Sequence, residues 1–111
     1  MLVEIVEEGN YTNFLGYERA VLVVSLEDCI HCKEYKPVIE LVAGRLPDVR
    51  FGVAVLKRGT RYLTKLKTDF KLEGVPTTLF LKRGLEVHRI EYAEMNDEKI
   101  YAMIKEKLMD M

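Results

Sequence analysis

Two cysteines, Cys29 and Cys32, stand three residues apart in Cys29-Ile30-His31-Cys32, and they are the only cysteines in the chain. A pair spent in one CxxC suits thiol-disulfide chemistry better than a disulfide scaffold, which spreads its cysteines through the sequence. Residues three apart at the start of a helix bring their Cβ atoms to roughly 5–6 Å, from which a small adjustment closes a disulfide. Unpaired backbone N–H groups and the helix dipole at that end stabilise a thiolate on Cys29 below the free-cysteine pKa of about 8.5. His31, when protonated, and Lys33 and Lys36 add positive charge, while Glu27 and Asp28 work against it. In this reading Cys29 attacks a substrate disulfide and Cys32, one turn deeper, resolves the mixed disulfide.

The elements that must position this pair follow from the apolar pattern. Leu2 to Val6 reads as a short strand, and Asn10 as the cap of a brief helix that turns Phe14 and Leu15 inward. Ala20 to Leu26 is a continuous aliphatic run, as in a central strand buried on both faces, and it feeds directly into the CxxC. From Ile30 onward, Tyr35, Val38, Ile39, Val42 and Ala43 recur at helical spacing, with Pro37 inside the helix and Gly44 and Pro47 expected to stop it. Val49 to Leu56 reads as a strand, Thr60 to Phe70 as a helix, and Thr78 to Leu81 as a strand led in by Val75-Pro76-Thr77. Arg83-Gly84 marks a tight hairpin into Glu86 to Tyr92, and Asn96 caps a last helix carrying Ile100, Ile104 and Leu108 on one face. The expected fold class is α/β, with a mixed sheet of about five strands flanked by about four helices.

The chain has 111 residues, 49% of them hydrophobic, which suits one domain over residues 1–111. No repeat, low-complexity tract or linker interrupts it. Charged residues make up 32% of the chain but nearly cancel, leaving a net charge of -1, so no global field draws it to nucleic acid. The acidic start and the short apolar runs point to a cytoplasmic chain without a membrane anchor. The absence of glutamine, the scarcity of asparagine and the abundance of Lys, Arg and Glu lean toward a thermophilic source.

The apolar strand leading into CxxC, Lys33 just after it, Pro37 in the helix and Val75-Pro76-Thr77 before the final hairpin together resemble the thioredoxin family over nearly the whole chain. The resemblance implies a thioredoxin-like fold and a cis bond before Pro76. Beside the CxxC, the backbone of Val75, Pro76 and Thr77 would then meet an extended protein substrate. It implies protein disulfide substrates, a disulfide reductase or other redox partner, and no bound cofactor, since the electrons reside in the thiols.

Four departures set this chain apart from thioredoxins proper. Asp28 replaces the tryptophan before the first cysteine, and Ile30-His31 fills the motif. His31 resembles the histidine of strongly oxidising disulfide donors and disulfide isomerases, implying a more oxidising pair. Val23 aligns with the family's buried aspartate, leaving the proton acceptor for Cys32 unassigned, and Tyr92 stands where the family has a groove glycine.

Other readings remain open from the residues alone. The domain could be a redox-sensing or adaptor module without turnover. Two CxxC pairs could bridge a zinc ion between copies, although His31 and His88 are poorly placed to complete a site within one chain. The basic cluster Lys57, Arg58, Arg61, Lys65 and Lys67 reads as solvated surface.

Overall fold

The computed structural model describes residues 2–109. The chain runs β1 (Val3–Ile5), a 3-10 turn (Glu8–Asn10), α1 (Tyr11–Leu15), β2 (Ala20–Leu26), α2 (Ile30–Arg45) and β3 (Arg50–Leu56). It continues through α3 (Arg61–Phe70), β4 (Thr77–Lys82), β5 (Leu85–Ile90) and α4 (Asp97–Ile104), whose last turn widens over Lys105–Met109. The five strands lie in the order β1-β3-β2-β4-β5. β1, β3 and β2 are mutually parallel, β4 runs antiparallel to β2, and β5 runs antiparallel to β4. The mixed five-strand sheet and four helices expected from the sequence are therefore present.

β2 occupies the centre, and its apolar run from Ala20 to Val24 has a structural reason. Val21 and Val23 join Tyr35, Ile39, Val42, Ile100 and Ile104 on the α2/α4 face. Ala20, Leu22 and Val24 join Phe14, Leu66 and Phe70 on the α1/α3 face. A strand covered on both sides has no polar face to alternate with. β3 passes under α1 at Gly52, where a Cβ would lie 2.6 Å from both Phe14 and Val6, so only glycine fits.

Two local signals act differently from expectation. Gly44 does not end α2: the helix runs on to Arg45, and Leu46 caps it with non-helical backbone, φ -130° and ψ 70°. Pro47 imposes the stop, because it disfavours the helical region for the residue before it. Asn10 does not cap α1 with its side chain. Its Oδ1 accepts from the Glu7 N–H at 2.7 Å and its Nδ2 donates to the Ile5 carbonyl at 3.0 Å, tying the 3-10 turn back to β1.

Other signals act as read. Asn96 Oδ1 accepts from the N–H groups of Glu98 and Lys99 at 3.0 and 3.3 Å. Thr60, expected as the first residue of α3, is its cap, accepting from the Leu63 N–H at 3.3 Å. Arg83 and Gly84 both have positive φ, 50° and 81°, the backbone of a two-residue hairpin matched to the strand twist. Among the described residues no helix is long and apolar enough to cross a membrane.

Candidate functional site

β2 ends at Leu26, and the chain turns at once: the Cys29 N–H donates to the Leu26 carbonyl at 3.1 Å, and the Glu27 N–H to the Leu56 carbonyl of β3 at 3.0 Å. Two bonds thus fix where the first cysteine leaves the sheet. Cys29 has extended backbone and is the N-cap of α2. Its Sγ accepts from the Cys32 N–H at 3.1 Å, and its carbonyl from the Lys33 N–H at 3.3 Å. A sulfur placed to accept a helix N-terminal N–H gains stability on becoming a thiolate, both from the bond and from the dipole.

Cys29 and Cys32 are joined in a disulfide, with Cα atoms 5.3 Å apart. Their exposures differ. Cys29 is partly accessible, while Cys32 is 8% exposed beneath the first turn of α2. That order matches an attacking and a resolving thiol.

The charges around the pair are arranged in a way the sequence did not show. Asp28, which as a bare carboxylate opposes a thiolate next door, has its Oδ2 3.3 Å from Nε of Arg58 in the turn after β3. The basic cluster thus contributes one member to the site. His31 is exposed, its side chain 81% accessible, and its Nδ1 lies 3.4 Å from Glu34 Oε1 one turn on.

The second wall of the site is the start of β4. Val75-Pro76 is a cis peptide, and Thr77 Oγ1 donates to the Gly74 carbonyl at 2.7 Å, closing the loop around it. Val24 pairs with Thr77 in the antiparallel β2/β4 ladder, so Pro76 falls beside the end of β2, from which the CxxC departs. Ladder register therefore brings Val75, Pro76 and Thr77 to the same end of the sheet as Cys29, His31 and Cys32. Tyr92, on the segment after β5, is exposed and donates to Glu94 Oε1 at 3.2 Å.

Below the pair, Val23 pairs with Val53 of β3 and Thr78 of β4, giving an apolar floor. The neighbouring polar contact is Tyr35 of α2, whose hydroxyl is 2.8 Å from Thr78 Oγ1. Burial, the larger effect, pushes the Tyr35 phenol up to about 12, against the opposing influence of that hydrogen bond. A cleft of ≈ 190 Å³ opens between this floor and α2, with Ser25, Glu27, Cys32 and Lys36 on its lining.

Sequence reasoning missed Arg58 as a partner of Asp28, and nothing in the local pattern signals a contact across 30 residues. It also passed over Ser25, although one hydroxyl inside Ala20–Leu26 was a visible anomaly. Tyr11 and Tyr62, which carry no readable spacing, anchor the opposite face. Tyr11 donates to Asp69 Oδ2 and Tyr62 to the Val6 carbonyl, each at 2.8 Å. Among the described residues no three His, Cys, Asp or Glu side chains gather as a metal site.

Comparison with known proteins gives a consistent result. The mouse protein disulfide-isomerase A4 is 30% identical over 106 residues, covering 94% of this chain. The chain spans only 16% of that relative's length. Tobacco thioredoxin H-type 1 is 30% identical over 95 residues, covering 83% of this chain and 72% of that protein. Among solved structures, thioredoxin f2 of Chlamydomonas reinhardtii superposes with a TM-score of 0.79 at 17% identity, over 98% of this chain and 99% of that one. The oxidised thioredoxin of Plasmodium falciparum gives 0.77 at 18%, over 96% and 98%. The thioredoxin family model matches residues 2–106. With the sheet order, the capped cysteine pair and the cis proline, that match makes this chain a member of the thioredoxin family.

Proposed function

We propose that this chain exchanges its dithiol or disulfide with protein substrates. The observation that carries the reading is the position of Cys29, a partly exposed residue at the N-terminus of α2 whose Sγ accepts the Cys32 N–H at 3.1 Å. In the reducing direction the Cys29 thiolate attacks a substrate disulfide, forming a mixed disulfide and expelling one substrate thiolate. Cys32 then attacks Cys29 Sγ, forms the Cys29–Cys32 bond and expels the second thiolate. Two electrons pass from the dithiol to the substrate, and the oxidising direction is the reverse.

Val75, Pro76 and Thr77 present extended backbone to the segment that carries the substrate disulfide, in the manner of β-strand addition. No bound cofactor is required, but turnover needs a redox partner, a disulfide reductase for net reduction. Cys usage confined to one CxxC supports a cytoplasmic location. His31, inside the motif, stabilises the reduced form and makes the pair more oxidising than that of a typical thioredoxin.

Insulin reduction by dithiothreitol tests the reading. The wild-type chain is expected to accelerate the appearance of turbidity, and Cys29→Ser to reduce the rate to that of dithiothreitol alone. A wild-type chain without acceleration would favour the second reading, a redox-sensing or adaptor module. That alternative draws its support from the apolar Val23 beneath the pair and from Asp28 before it.

A further inference from the structure

Resolution requires Cys32 to lose a proton, because the thiolate and not the thiol attacks sulfur. Cys32 is 8% exposed, and burial works against its charged form. A group that removes the proton must therefore reach the inner side of this residue. The ≈ 190 Å³ cleft provides the approach, since Cys32 lines it. Its strand walls are Val3 of β1, Val23 and Ser25 of β2, and Val53 and Val55 of β3, and none of these five is titratable.

The charged groups on the cleft are Glu27 from the turn after β2, and Lys33 and Lys36 from α2. An ammonium has no lone pair to accept a proton. Glu27 is the one carboxylate on the lining, and the neighbouring acid, Asp28, is engaged with Arg58. Ser25 on the β2 wall is 4% exposed, lines the same cleft as Cys32 and Glu27, and its hydroxyl makes none of the side-chain hydrogen bonds found among the described residues. A hydroxyl both donates and accepts, and the cleft is large enough for several waters at roughly 10–15 Å³ each.

We propose that Glu27 is the proton acceptor for Cys32, reached through the Ser25 hydroxyl and water in the cleft, with Lys33 and Lys36 offsetting the charge of the thiolate. The inference rests on the exchange reading above. The proton leaves Cys32 Sγ for the Glu27 carboxylate, and the Cys32 thiolate attacks Cys29 Sγ in the mixed disulfide. The Cys29–Cys32 bond forms as the bond from Cys29 to substrate sulfur breaks. The departing substrate thiolate takes up a proton from Glu27 or from solvent, and no further oxidant or reductant enters.

Single-turnover reduction of a disulfide peptide, quenched in acid and resolved by mass, separates mixed-disulfide formation from its resolution. Glu27→Gln is expected to form the mixed disulfide at least as fast as wild type, since a carboxylate two residues from Cys29 is gone. It should resolve it about tenfold more slowly at neutral pH, at a rate that rises in proportion to hydroxide. Ser25→Ala slows resolution by a smaller factor, and Glu27→Asp restores most of the rate and the pH profile. Glu40→Gln, on the exposed side of α2, leaves both steps unchanged. Resolution by Glu27→Gln at the wild-type rate and with the wild-type pH profile overturns the route alone. A wild-type chain that forms no mixed disulfide overturns the exchange reading and this route with it.

Discussion

At Cys29 a single, partly exposed residue caps α2 and supplies one sulfur of the disulfide. The cap bond from the Cys32 N–H reaches the same atom that carries the negative charge in the proposed exchange, so in that reading the local fold and the reactivity share one interaction. His31 is the residue whose contribution is most separable from that bond, because its side chain is exposed and touches Glu34. Replacing it should leave the backbone cap in place. His31→Pro is expected to lower the reduction potential by some tens of millivolts, with about 30 mV corresponding to tenfold in the exchange equilibrium. Equilibration against glutathione at several ratios measures this, and an unchanged or higher potential would remove the tuning role.

Elements matter here because each ends where the site needs it to. β2 stops at Leu26, where the turn bonds back to the carbonyls of Leu26 and of Leu56 in β3, β4 starts at Thr77 against Val24, and α2 begins at Ile30. The sheet holds these ends in register through close packing on its far face. Gly52 of β3 sits there under Phe14 and Val6, with no room for a methyl group. Gly52→Ala is expected to destabilise the fold by about 1–3 kcal/mol through overpacking. Urea unfolding with an unchanged m-value would show it. Asn96→Ala, which removes a cap from α4 far from the cysteines, should cost about 1 kcal/mol and leave exchange intact.

For the whole molecule, the buried phenols couple stability to pH. Tyr35 is held up to about 12 by burial, against an ordinary value of 10.0, and Tyr11 and Tyr62 are raised as well, also chiefly by burial. Below pH 10 these groups are neutral in both folded and unfolded chains, so their contribution is fully present. Between about pH 10 and 12 the unfolded chain releases protons that the folded one retains, and stability falls as pH rises. For Tyr35 alone the loss amounts to about 3 kcal/mol at most. Tyr35→Phe is expected to flatten the decline in unfolding free energy between about pH 10 and 12. At pH 7 it should cost about 1 kcal/mol for the lost bond to Thr78. An unaltered pH slope would show that Tyr35 is not the group responsible.

What the sequence determined by itself was whatever depends on neighbours along the chain. The CxxC at a strand-to-helix junction, the helical spacing of Tyr35 to Ala43, the doubly buried run of β2 and the Arg83-Gly84 turn are local patterns, and each has its structural counterpart. Gly44 and Asn10 misled because a residue's preference is settled by competitors: Pro47 two residues past the helix end, and the Glu7 N–H that occupies the Asn10 Oδ1. The tertiary structure alone decided which distant groups meet. It set Arg58 on Asp28, Thr78 on Tyr35, and Glu27 and Ser25 on the cleft behind Cys32. Those contacts depend on how β2, β3, β4 and α2 stack, and strand pairing carries no signature in the spacing of the residues that it brings together. The cysteine pair could therefore be read directly from the chain, whereas the charged and polar groups around it emerged only from the assembled sheet.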